Sequence, residues 1–415
     1  MNLPIPEINL DEYTYSLPPD RIAQYPLPER DSSRLLSWKN GSLSQDAFRT
    51  ISQYLPPDSL LVFNDTRVLH ARLLFPKPTG SYIEVFCLEP LEPFREFPPA
   101  LQQTRYSSWK CLIGNVRKWK SEKITKDFTL AGKKYLLEAV KMNSLGDGIF
   151  SVRFEWDPPH CTFGELLEAA GQIPLPPYIH RAAGHDDLFR YQTIFASCDG
   201  SVAAPTAGLR FTGPVLDSLR AAGFGIEMVT LHVGLGTFRP VTTPTLSRHI
   251  MHPETFSVSM GTLRALIDHG ENPIIAIGTT TVRTLESLYW LGQKYLNDPE
   301  KEHKYVGQWD PYQKFRGAPA SAGTALKALL YALTQRKMDR VTAETRLMIL
   351  PGYSFRIIDG MVTNFHQPQS TLLLLVAAFL GTGWRTAYTY ALREGFRFLS
   401  YGDTCLFIRD SRERK

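Results

Sequence analysis

An alternation of short apolar strands with helical segments most constrains what this chain can fold into. From residue 213 onward the pattern predicts, in order, a helix over 214–222, a strand over 226–231, a helix over 263–269, a strand over 274–277 and a helix over 282–295. A strand over 60–63 precedes this region. Later elements are predicted at 347–349 and 406–408 as strands and at 370–380 and 386–394 as helices. This alternation predicts an α/β fold, with a three-layer α/β main domain.

The pattern changes between residues 68 and 157. Alternating or β-branched residues there predict short strands at 82–88, 109–113, 135–140 and 149–156. Strands at this spacing indicate a small β-barrel or sandwich inserted into the chain. We therefore expect a discontinuous α/β domain of residues 1–67 and 158–415, with an inserted, basic β-barrel domain at 68–157. Residues 297–346, with a predicted helix at 324–334, are interpreted as an elaboration of the main domain.

A run of small residues, SVAAPTAGLRFT at 201–212, brings the backbone close to whatever lies beside it. Six of its first nine residues are Ser, Ala, Thr or Gly, which fill little volume. The neighbour is either a ligand or an adjacent strand, and the run alone does not decide between them.

Polar clusters stand where strands are expected to end, the edge at which open α/β folds bind ligands. The clusters are NDTR at 64–67 with Asp65 and Arg67, HVGLGTF from His232, HIMHPE with His249 and His252, GTTTVR with Thr279, Thr280 and Thr281, and TNFH ending in His366. The first cluster also fits an ordinary turn, because Asn, Asp and Thr are common turn residues.

The threonine turn at 279–281 follows a short strand and opens a helix. Unpaired amides at such a helix start bind anions such as phosphate or carboxylate. Arg283 and Glu286 are three residues apart and therefore lie on one helix face. The alternative interpretation is a threonine N-cap followed by a surface ion pair.

Three histidines are candidate acid–base groups: His232, His252 and His366. The spacing of His249, His252 and Glu254 matches neither H-E-x-x-H nor a cysteine-containing site, so we expect no metal. A structural role remains open for His232 and His366, because a satisfied imidazole serves packing as well as catalysis. The dinucleotide-binding motif fails, since Arg239 stands where its third glycine belongs.

The charge of the chain is unevenly distributed. The chain carries a net charge of +5, yet residues 105–141 hold ten Lys or Arg against three acids, which leaves the rest of the chain near −2. Aromatic residues are interleaved with these cations at Tyr106, Trp109, Trp119 and Phe128. The segment resembles a polyanion-binding face, although outward positions of solvated strands would look similar.

Apolar runs and cysteines bear on the cellular compartment. The longest apolar run is 372–380, well short of the roughly 20 residues that span a bilayer. The five cysteines are widely spaced and form no C-x-x-C pair, which argues against disulfides and a cysteine zinc site. We expect buried reduced thiols, no membrane association and a cytoplasmic protein.

Nine motifs in register resemble the S-adenosylmethionine:tRNA ribosyltransferase-isomerase family of queuosine biosynthesis. They run from residue 22 to residue 403 and are IAQYPLPERDSSRLL, LVFNDTRVLHARL, GQIPLPPYI, SVAAPTAGLRF, VTLHVGLGTFRPV, HIMHPE, GTTTVRTLES, PGYSFRIIDGMVTNFHQPQSTLLLLVAAF and FLSYGD. The resemblance implies an α/β domain with a small inserted β-barrel.

The resemblance also implies the reaction. The family moves the ribosyl part of S-adenosylmethionine onto the aminomethyl group of 7-aminomethyl-7-deazaguanine at the tRNA wobble position, giving epoxyqueuosine, adenine and methionine. S-adenosylmethionine is then a consumed substrate, and no cofactor is expected. The proposed chemistry starts with removal of a proton beside the sulfonium, and it therefore needs a base and later proton donors.

Site residues follow from the resemblance as expectations. The nucleoside and methionyl pocket is expected to include Asp65, Arg67, Thr206, Arg210, Thr279, Thr280, Thr281, Arg283 and Glu286. The acid–base candidates remain His232, His252 and His366, and Lys118, Lys120 and Lys123 are expected to contact tRNA.

Two features depart from the family pattern. Arg210 replaces a histidine of the small-residue motif, and a guanidinium cannot replace a group that titrates in the reaction. A catalytically altered RNA-binding paralogue is therefore the alternative. The stretches 89–101 and 297–346 resemble insertions. An unrelated α/β hydrolase is disfavoured, because no G-x-S-x-G motif is present.

Overall fold

The computed structural model of the chain describes residues 7–234, 246–313 and 319–409, so the second half of the glycine motif after His232 lies outside the described residues. In chain order the strands and helices are β1 (Arg34–Lys39), β2 (Ser42–Ala47), β3 (Leu60–Asn64), β4 (Thr66–Val68), β5 (Arg72–Pro76), β6 (Tyr82–Glu92), α1 (Phe97–Leu101), β7 (Tyr106–Gly114), β8 (Lys123–Leu130), β9 (Lys133–Gly146), β10 (Ile149–Asp157), α2 (Phe163–Ala170), α3 (Asp187–Arg190), β11 (Cys198–Ser201), α4 (Gly213–Ala221), β12 (Gly225–Leu231), β13 (Glu254–Ser259), α5 (Met260–Asp268), β14 (Ile274–Ile277), α6 (Thr279–Asn297), β15 (Tyr305–Val306), α7 (Ala322–Gln335), β16 (Arg340–Thr345), β17 (Gly360–Asn364), α8 (Thr371–Leu380), α9 (Gly383–Arg393) and β18 (Thr404–Ile408).

A mixed sheet forms the larger part of the molecule. Its ten strands in the described part of the chain lie in the order β15-β16-β13-β12-β3-β14-β17-β18-β1-β2. The four central strands, β12, β3, β14 and β17, run parallel to one another. Their carboxyl ends therefore meet at one edge of the sheet, which is where polar clusters were expected.

The central strands β3 and β14 are buried on both faces of the sheet. Because successive side chains point to opposite faces, each strand contributes to two cores. In β3, Leu60 and Val62 join the core that contains the apolar face of α6, whereas Leu61 and Phe63 join a second core that contains α4. β14 alternates in the same way. The mixed α/β class is confirmed, and the three-layer arrangement stays a prediction.

A six-stranded antiparallel sheet lies between Arg72 and Asp157, in the order β5-β6-β7-β10-β9-β8. Its two edge strands approach each other, so the sheet is nearly closed into a barrel. Helix α2 packs its apolar side chains into the core of this sheet, although the helix follows the predicted boundary at residue 157. A capping box formed by Thr162 and Glu165 opens that helix.

Three of the four aromatic residues of the basic segment are not on its surface. Trp109, Trp119 and Phe128 are buried in the core of the antiparallel sheet, whereas Tyr106 is half-buried. In a strand whose other face meets water, aromatic and basic residues alternate because one set points inward. The interleaving is therefore mainly a packing pattern, and the cations of this segment and Tyr106 are the groups that can face a partner.

Several strands were missed, and one was placed wrongly. Residues 347–349 were predicted as a strand but are irregular chain. The strand in this region is β16, which ends two residues earlier, and the apolar run from Leu347 to Leu350 is buried without joining a sheet. β1, β2, β13 and β17 lacked a recognised signal. The HIMHPE cluster precedes β13, so it does not stand at the end of a strand as predicted.

Residues 297–346 supply β15 and β16 at one edge of the large sheet, and α7 packs against α6. The two helices are closest at Gly292, where an added Cβ would lie 2.2 Å from the carbonyl oxygen of Ala325. This approach fixes the position of α6, whose other end opens toward the candidate site.

In the described ranges, no single helix is long and apolar enough to cross a membrane; α8 and α9 pass that test only together and are bent by 113°. No group of three or more His, Cys, Asp or Glu in these ranges could hold a metal ion. The cysteines are free, and four of them are buried.

We expect Gly292→Ala to lower the free energy of unfolding by about 1–3 kcal/mol, because the new methyl group meets the backbone of α7. The matched control is Gly323→Ala in α7, where an added Cβ meets nothing within 4 Å. There the loss of backbone entropy in the unfolded chain predicts a gain of up to about 1 kcal/mol. Urea unfolding measures both, and equal effects of the two substitutions would contradict the packing argument.

Candidate functional site

The site is built where the four parallel strands end. His232 follows β12, Asn64 ends β3, Thr279 follows β14 and His366 stands two residues beyond β17. Because the strands are adjacent and parallel, these side chains share one edge of the sheet, as the sequence predicted.

Asn64 holds three of these elements together. Its side-chain amide donates to the carbonyl of Leu231 at 3.0 Å, and its Oδ1 accepts from the backbone amides of Leu231 at 3.0 Å and Thr66 at 3.2 Å. Nδ2 also lies 3.4 Å from Oγ1 of Thr280 at the start of α6. The end of β3 is thereby fixed to β12 and to the helix.

A cavity, here called the strand-end cavity, opens beside these groups. Four of the predicted site residues line it: Thr206, Thr279, Thr280 and His366. Small residues from Ala204 to Ala207 form one wall, so the run of small residues does bring backbone close to a space that can hold a ligand. Phe365, Leu372 and Val233 supply apolar surface.

The amino end of α6 forms another wall of the strand-end cavity. Gly278 precedes the helix with φ of +97°, a left-handed conformation that favours glycine. The first amides of a helix have no partner within it and carry the positive end of the helix dipole. Together with the hydroxyls of Thr279 and Thr280, this wall suits a carboxylate or phosphate.

Thr206 and Asn364 hold the opposite side. Thr206 Oγ1 donates to Asn364 Oδ1 at 2.8 Å, and Asn364 Nδ2 donates to the carbonyl of Leu399 at 3.2 Å. These bonds join the small-residue run, the end of β17 and the loop before β18. Asn364 was part of a motif in the sequence but was not predicted as a site residue.

His366 is buried on the wall of the strand-end cavity. Its Nε2 lies 2.9 Å from Oγ1 of Thr363, and its backbone amide donates to the hydroxyl of Tyr388 at 3.1 Å. The hydroxyl of Tyr15 donates to its carbonyl. Burial lowers the pKa of His366 to about 3, so the ring is neutral at neutral pH.

A second space, the barrel-side cavity, lies between the antiparallel sheet and the large sheet. Glu89, Lys110 and Phe97 line it from one side, and His232 and Thr255 from the other. Val233 lines both cavities, so the two spaces adjoin.

His232 faces the barrel-side cavity. Its Nδ1 lies 3.0 Å from Oγ1 of Thr66, and the ring of Phe97 packs against it with centroids 5.1 Å apart. Gly200 lies so close that a Cβ there would be 2.7 Å from Cε1 of the imidazole. Burial lowers the pKa of His232 to about 4, despite the opposing charges of Asp65 and Asp199.

Phe97 belongs to the proline-rich stretch at 89–101 that resembled an insertion. Its contact with His232 joins segments 135 positions apart, and no local pattern reports such a contact. The sequence did contain a signal for the helical turn α1 that carries Phe97. Two prolines follow Phe97, and proline is favoured in the first turn of a helix.

Thr281, Arg283 and Glu286 lie inside the protein and line neither cavity. Thr281 Oγ1 donates to the carbonyl of Ile277 at 2.8 Å, and Arg283 forms a buried ion pair with Glu254. Glu286 accepts from the hydroxyl of Tyr353 at 2.7 Å and from backbone amides of residues 356–358. Arg283 and Glu286 are therefore not a surface pair.

Asp65, Arg67 and His252 also lie outside both cavities. Asp65 accepts from Thr230 Oγ1 at 2.7 Å and from Ser197 Oγ at 2.9 Å. Arg67 Nε donates to Asp199 at 2.6 Å, and its guanidinium also pairs with Glu168. His252 is exposed.

Arg210 is buried behind the small-residue run, with 3% of its surface exposed. Its Nη1 donates to the carbonyls of Thr206 and Ser400, each at 2.7 Å, and Nη2 donates to the carbonyl of Gly402. Thr206 and Ser400 line the strand-end cavity, whereas Arg210 does not. The guanidinium of Arg210 therefore supports this wall from behind through hydrogen bonds and does not line the strand-end cavity.

Comparison with known proteins agrees with the resemblance. The model of the family described as queuosine biosynthesis protein matches residues 10–407. Proteins named S-adenosylmethionine:tRNA ribosyltransferase-isomerase are similar along nearly their whole length. The Azoarcus sp. protein is 40% identical over 408 residues, covering 97% of this chain and 98% of that protein. The Halothermothrix orenii protein is 36% identical, covering 97% and 100%.

A solved structure is also similar. It is the crystal structure of S-adenosylmethionine tRNA ribosyltransferase from Thermotoga maritima, 28% identical, covering 96% of this chain and 100% of that chain with a TM-score of 0.45. The full-length match to the family model and the relatives at 36–40% identity establish the family. The chain belongs to the S-adenosylmethionine:tRNA ribosyltransferase-isomerase family of queuosine biosynthesis and is a tRNA-modifying enzyme of that family.

Proposed function

We propose that this enzyme moves and isomerises the ribosyl part of S-adenosylmethionine onto 7-aminomethyl-7-deazaguanine at the wobble position of tRNA, giving epoxyqueuosine-tRNA, adenine and methionine. The observation that carries the proposal is the strand-end cavity, in which a helix start, two threonines and a buried histidine converge. S-adenosylmethionine is a consumed substrate, and no cofactor is required.

The amino end of α6 supports binding of the methionyl carboxylate. Its first amides and the hydroxyls of Thr279 and Thr280 offer donors to an anion without a competing side-chain carboxylate on that wall. Thr206 faces the same space and offers a hydroxyl to the ribose. The apolar surface of Phe365 and Leu372 suits the adenine ring.

The other predicted pocket residues would act through the loops that they hold. Arg210 supports the wall at Thr206 and Ser400, and Arg283 and Glu286 fix α6 to its surroundings. Asp65 and Arg67 fasten the chain that follows β3. Thr281 secures the first turn of α6.

Two histidines that line the cavities are our first candidates for proton transfer. Because burial keeps the rings of His366 and His232 neutral at neutral pH, each has a nitrogen that can accept a proton and another that can donate one. Removal of the proton beside the sulfonium needs the first role, and departure of adenine needs the second. His252, exposed outside both cavities, is the third candidate.

The antiparallel sheet supplies a basic surface for tRNA. Lys118, Lys120 and Lys123 are exposed, and Lys123 pairs with Glu138 at 2.7 Å. The barrel-side cavity opens next to the same sheet. A tRNA bound to these cations through its phosphates would bring its wobble base toward that opening.

The RNA-binding paralogue rests on Arg210 alone. Because Arg210 donates to three backbone carbonyls behind the cavity wall, its presence there removes no group that faces the reaction space. No observation favours that alternative.

Incubation with S-adenosylmethionine and tRNA carrying the 7-aminomethyl-7-deazaguanine base tests the reaction directly. We expect adenine release in step with an epoxyqueuosine nucleoside, both measured by mass analysis. Bound tRNA whose precursor base stays intact would overturn the proposal.

We expect His366→Gln to lower kcat by about 100-fold or more, the usual contribution of a positioned acid or base, while S-adenosylmethionine binding changes little. Glutamine keeps a hydrogen-bonding group near Thr363. His232→Gln and His252→Gln form the same series, and the exposed His160→Gln is the matched control. Single-turnover kinetics separates the chemical step from binding, and a kcat for His366→Gln equal to that of the control would exclude His366.

We expect the triple reversal Lys118→Glu, Lys120→Glu and Lys123→Glu to weaken tRNA binding and to make its salt dependence shallower, because phosphate contacts release counterions. The control is Lys301→Glu, Lys304→Glu and Lys327→Glu, which makes the same change in net charge at exposed positions elsewhere. Filter binding across a salt series measures both. Equal losses in the two triples would show a general charge effect and no tRNA face.

A further inference from the structure

A third, small cavity lies on the other side of the small-residue turn from the strand-end cavity. We call it the arginine cavity, because the guanidinium-bearing residues Arg30, Arg190 and Arg210 all line it. Its remaining lining residues are Pro26, Leu27, Ser33, Leu209 and Tyr401. Arg30 and Ser33 come from one segment of the chain and Arg190 from another. None of these three residues has a role in the proposed reaction.

No carboxylate lines the arginine cavity among the described residues. Nearby acids are engaged elsewhere. Asp403 accepts from the backbone amides of Arg34 at 2.9 Å and Arg397 at 2.8 Å, and Asp187 accepts from Arg181 at 2.6 and 2.8 Å. The lining of this space therefore carries three cations and no carboxylate, and Asp403 nearby offsets part of the charge of Arg210.

The cations are held in place by backbone carbonyls. Arg30 donates to the carbonyl of Gln192 at 2.6 Å, and Arg190 donates to that of Pro28 at 2.9 Å. Together with the bonds of Arg210 already described, these contacts fix the three guanidinium planes before any ligand arrives. A preorganised set of donors loses little entropy when it binds an anion.

Two polar atoms of the lining have no partner. The hydroxyl of Ser33 is buried, with 3% of the residue exposed, and Nε of Arg190 is likewise buried without a hydrogen bond. A buried donor without a partner destabilises the folded protein. Both atoms belong to residues that line this one cavity, so a single acceptor-rich ligand could satisfy them together.

Burial penalises the charges of this cluster. Burial lowers the pKa of Arg210 to about 10. Burial also lowers the pKa of Arg30, and the neighbouring positive charge of Arg190 lowers it further. A bound anion would offset both the desolvation and the mutual repulsion of the cations.

We propose that the arginine cavity is a binding site for a phosphate group. The Nη atoms of the three arginines donate to backbone carbonyls, so these residues supply mainly positive charge. The Ser33 hydroxyl and Arg190 Nε supply donors that have no other partner. The phosphate comes either from the backbone of the tRNA, a source that rests on the proposed function, or from a free phosphate anion, a source that does not.

Calorimetric titration with inorganic phosphate at constant ionic strength tests the site in the full-length protein. The variants are Arg190→Gln and Ser33→Ala, and the control is Arg220→Gln, an exposed arginine on α4 that pairs with Asp217. We expect wild type and control to bind phosphate equally, Arg190→Gln to bind it at least about ten-fold more weakly, and Ser33→Ala several-fold more weakly. Ser33→Ala removes only one oxygen atom. It therefore tests phosphate binding even if Arg190→Gln disturbs folding. Absence of phosphate binding by the wild type, or equal affinity in all four proteins, would overturn the site.

Binding of a tRNA transcript distinguishes the sources. If a backbone phosphate enters the cavity, Arg190→Gln weakens tRNA binding about ten-fold, and inorganic phosphate competes with tRNA in the wild type only. If the ligand is a free anion, tRNA affinity stays unchanged while phosphate affinity falls. Neither readout uses turnover, so failure of the proposed reaction leaves the phosphate titration as an independent test.

Discussion

The carboxamide of Asn64 is the interaction on which the candidate site depends. This side chain is 1% exposed, and it both donates to and accepts from Leu231 while also meeting Thr66 and Thr280. A carboxylate could not replace it, because it has no N–H for the carbonyl of Leu231. Loss of the carboxamide would leave buried backbone groups without partners and would free the ends of two strands relative to α6.

Buried charges support the same arrangement from behind. Arg283 and Glu254 pair with about 5% of each side chain exposed, and Glu254 also accepts from the amide of Gly234 at 3.2 Å. The pair therefore joins α6, β13 and the chain that follows His232. Removing one partner would leave an uncompensated charge in the interior, a far larger cost than loss of a surface pair. These charged residues are part of the scaffold of the site, although their sequence motifs resemble a binding surface.

The sequence predicted the elements that carry strong local signals and located the edge of the sheet where the site lies. β3, β14 and α6 follow from apolar runs and a threonine helix start, and the shared edge of β12, β3 and β14 follows from their alternation with helices. β13 and β17 were missed because they are short and mix polar with apolar residues. Their positions depend on pairing with strands that are remote in sequence, so no local pattern could supply them.

The roles of neighbouring residues were the least predictable. Successive residues on a helix point about 100° apart, so Thr280 faces the strand-end cavity while Thr281 turns back to the carbonyl of Ile277. The motif contains three threonines and cannot say which of them face a ligand. Arg210 shows the same limit, because a cation at the end of a small-residue run suits a ligand contact and a carbonyl clamp equally well.

The two cavities give a physical reason for having two buried histidines. Val233 lines both spaces, and its backbone is held by the hydroxyl of Ser201, which accepts from the Val233 amide at 2.9 Å. The chain between the two cavities is therefore fixed at this point. In the proposed reaction, S-adenosylmethionine would bind in the strand-end cavity and the wobble nucleobase of tRNA would enter from the barrel-side cavity. The two substrates would meet beside Val233. His366 and His232 then stand on opposite sides of the junction, which suits a reaction that removes a proton at one atom and supplies a proton at another.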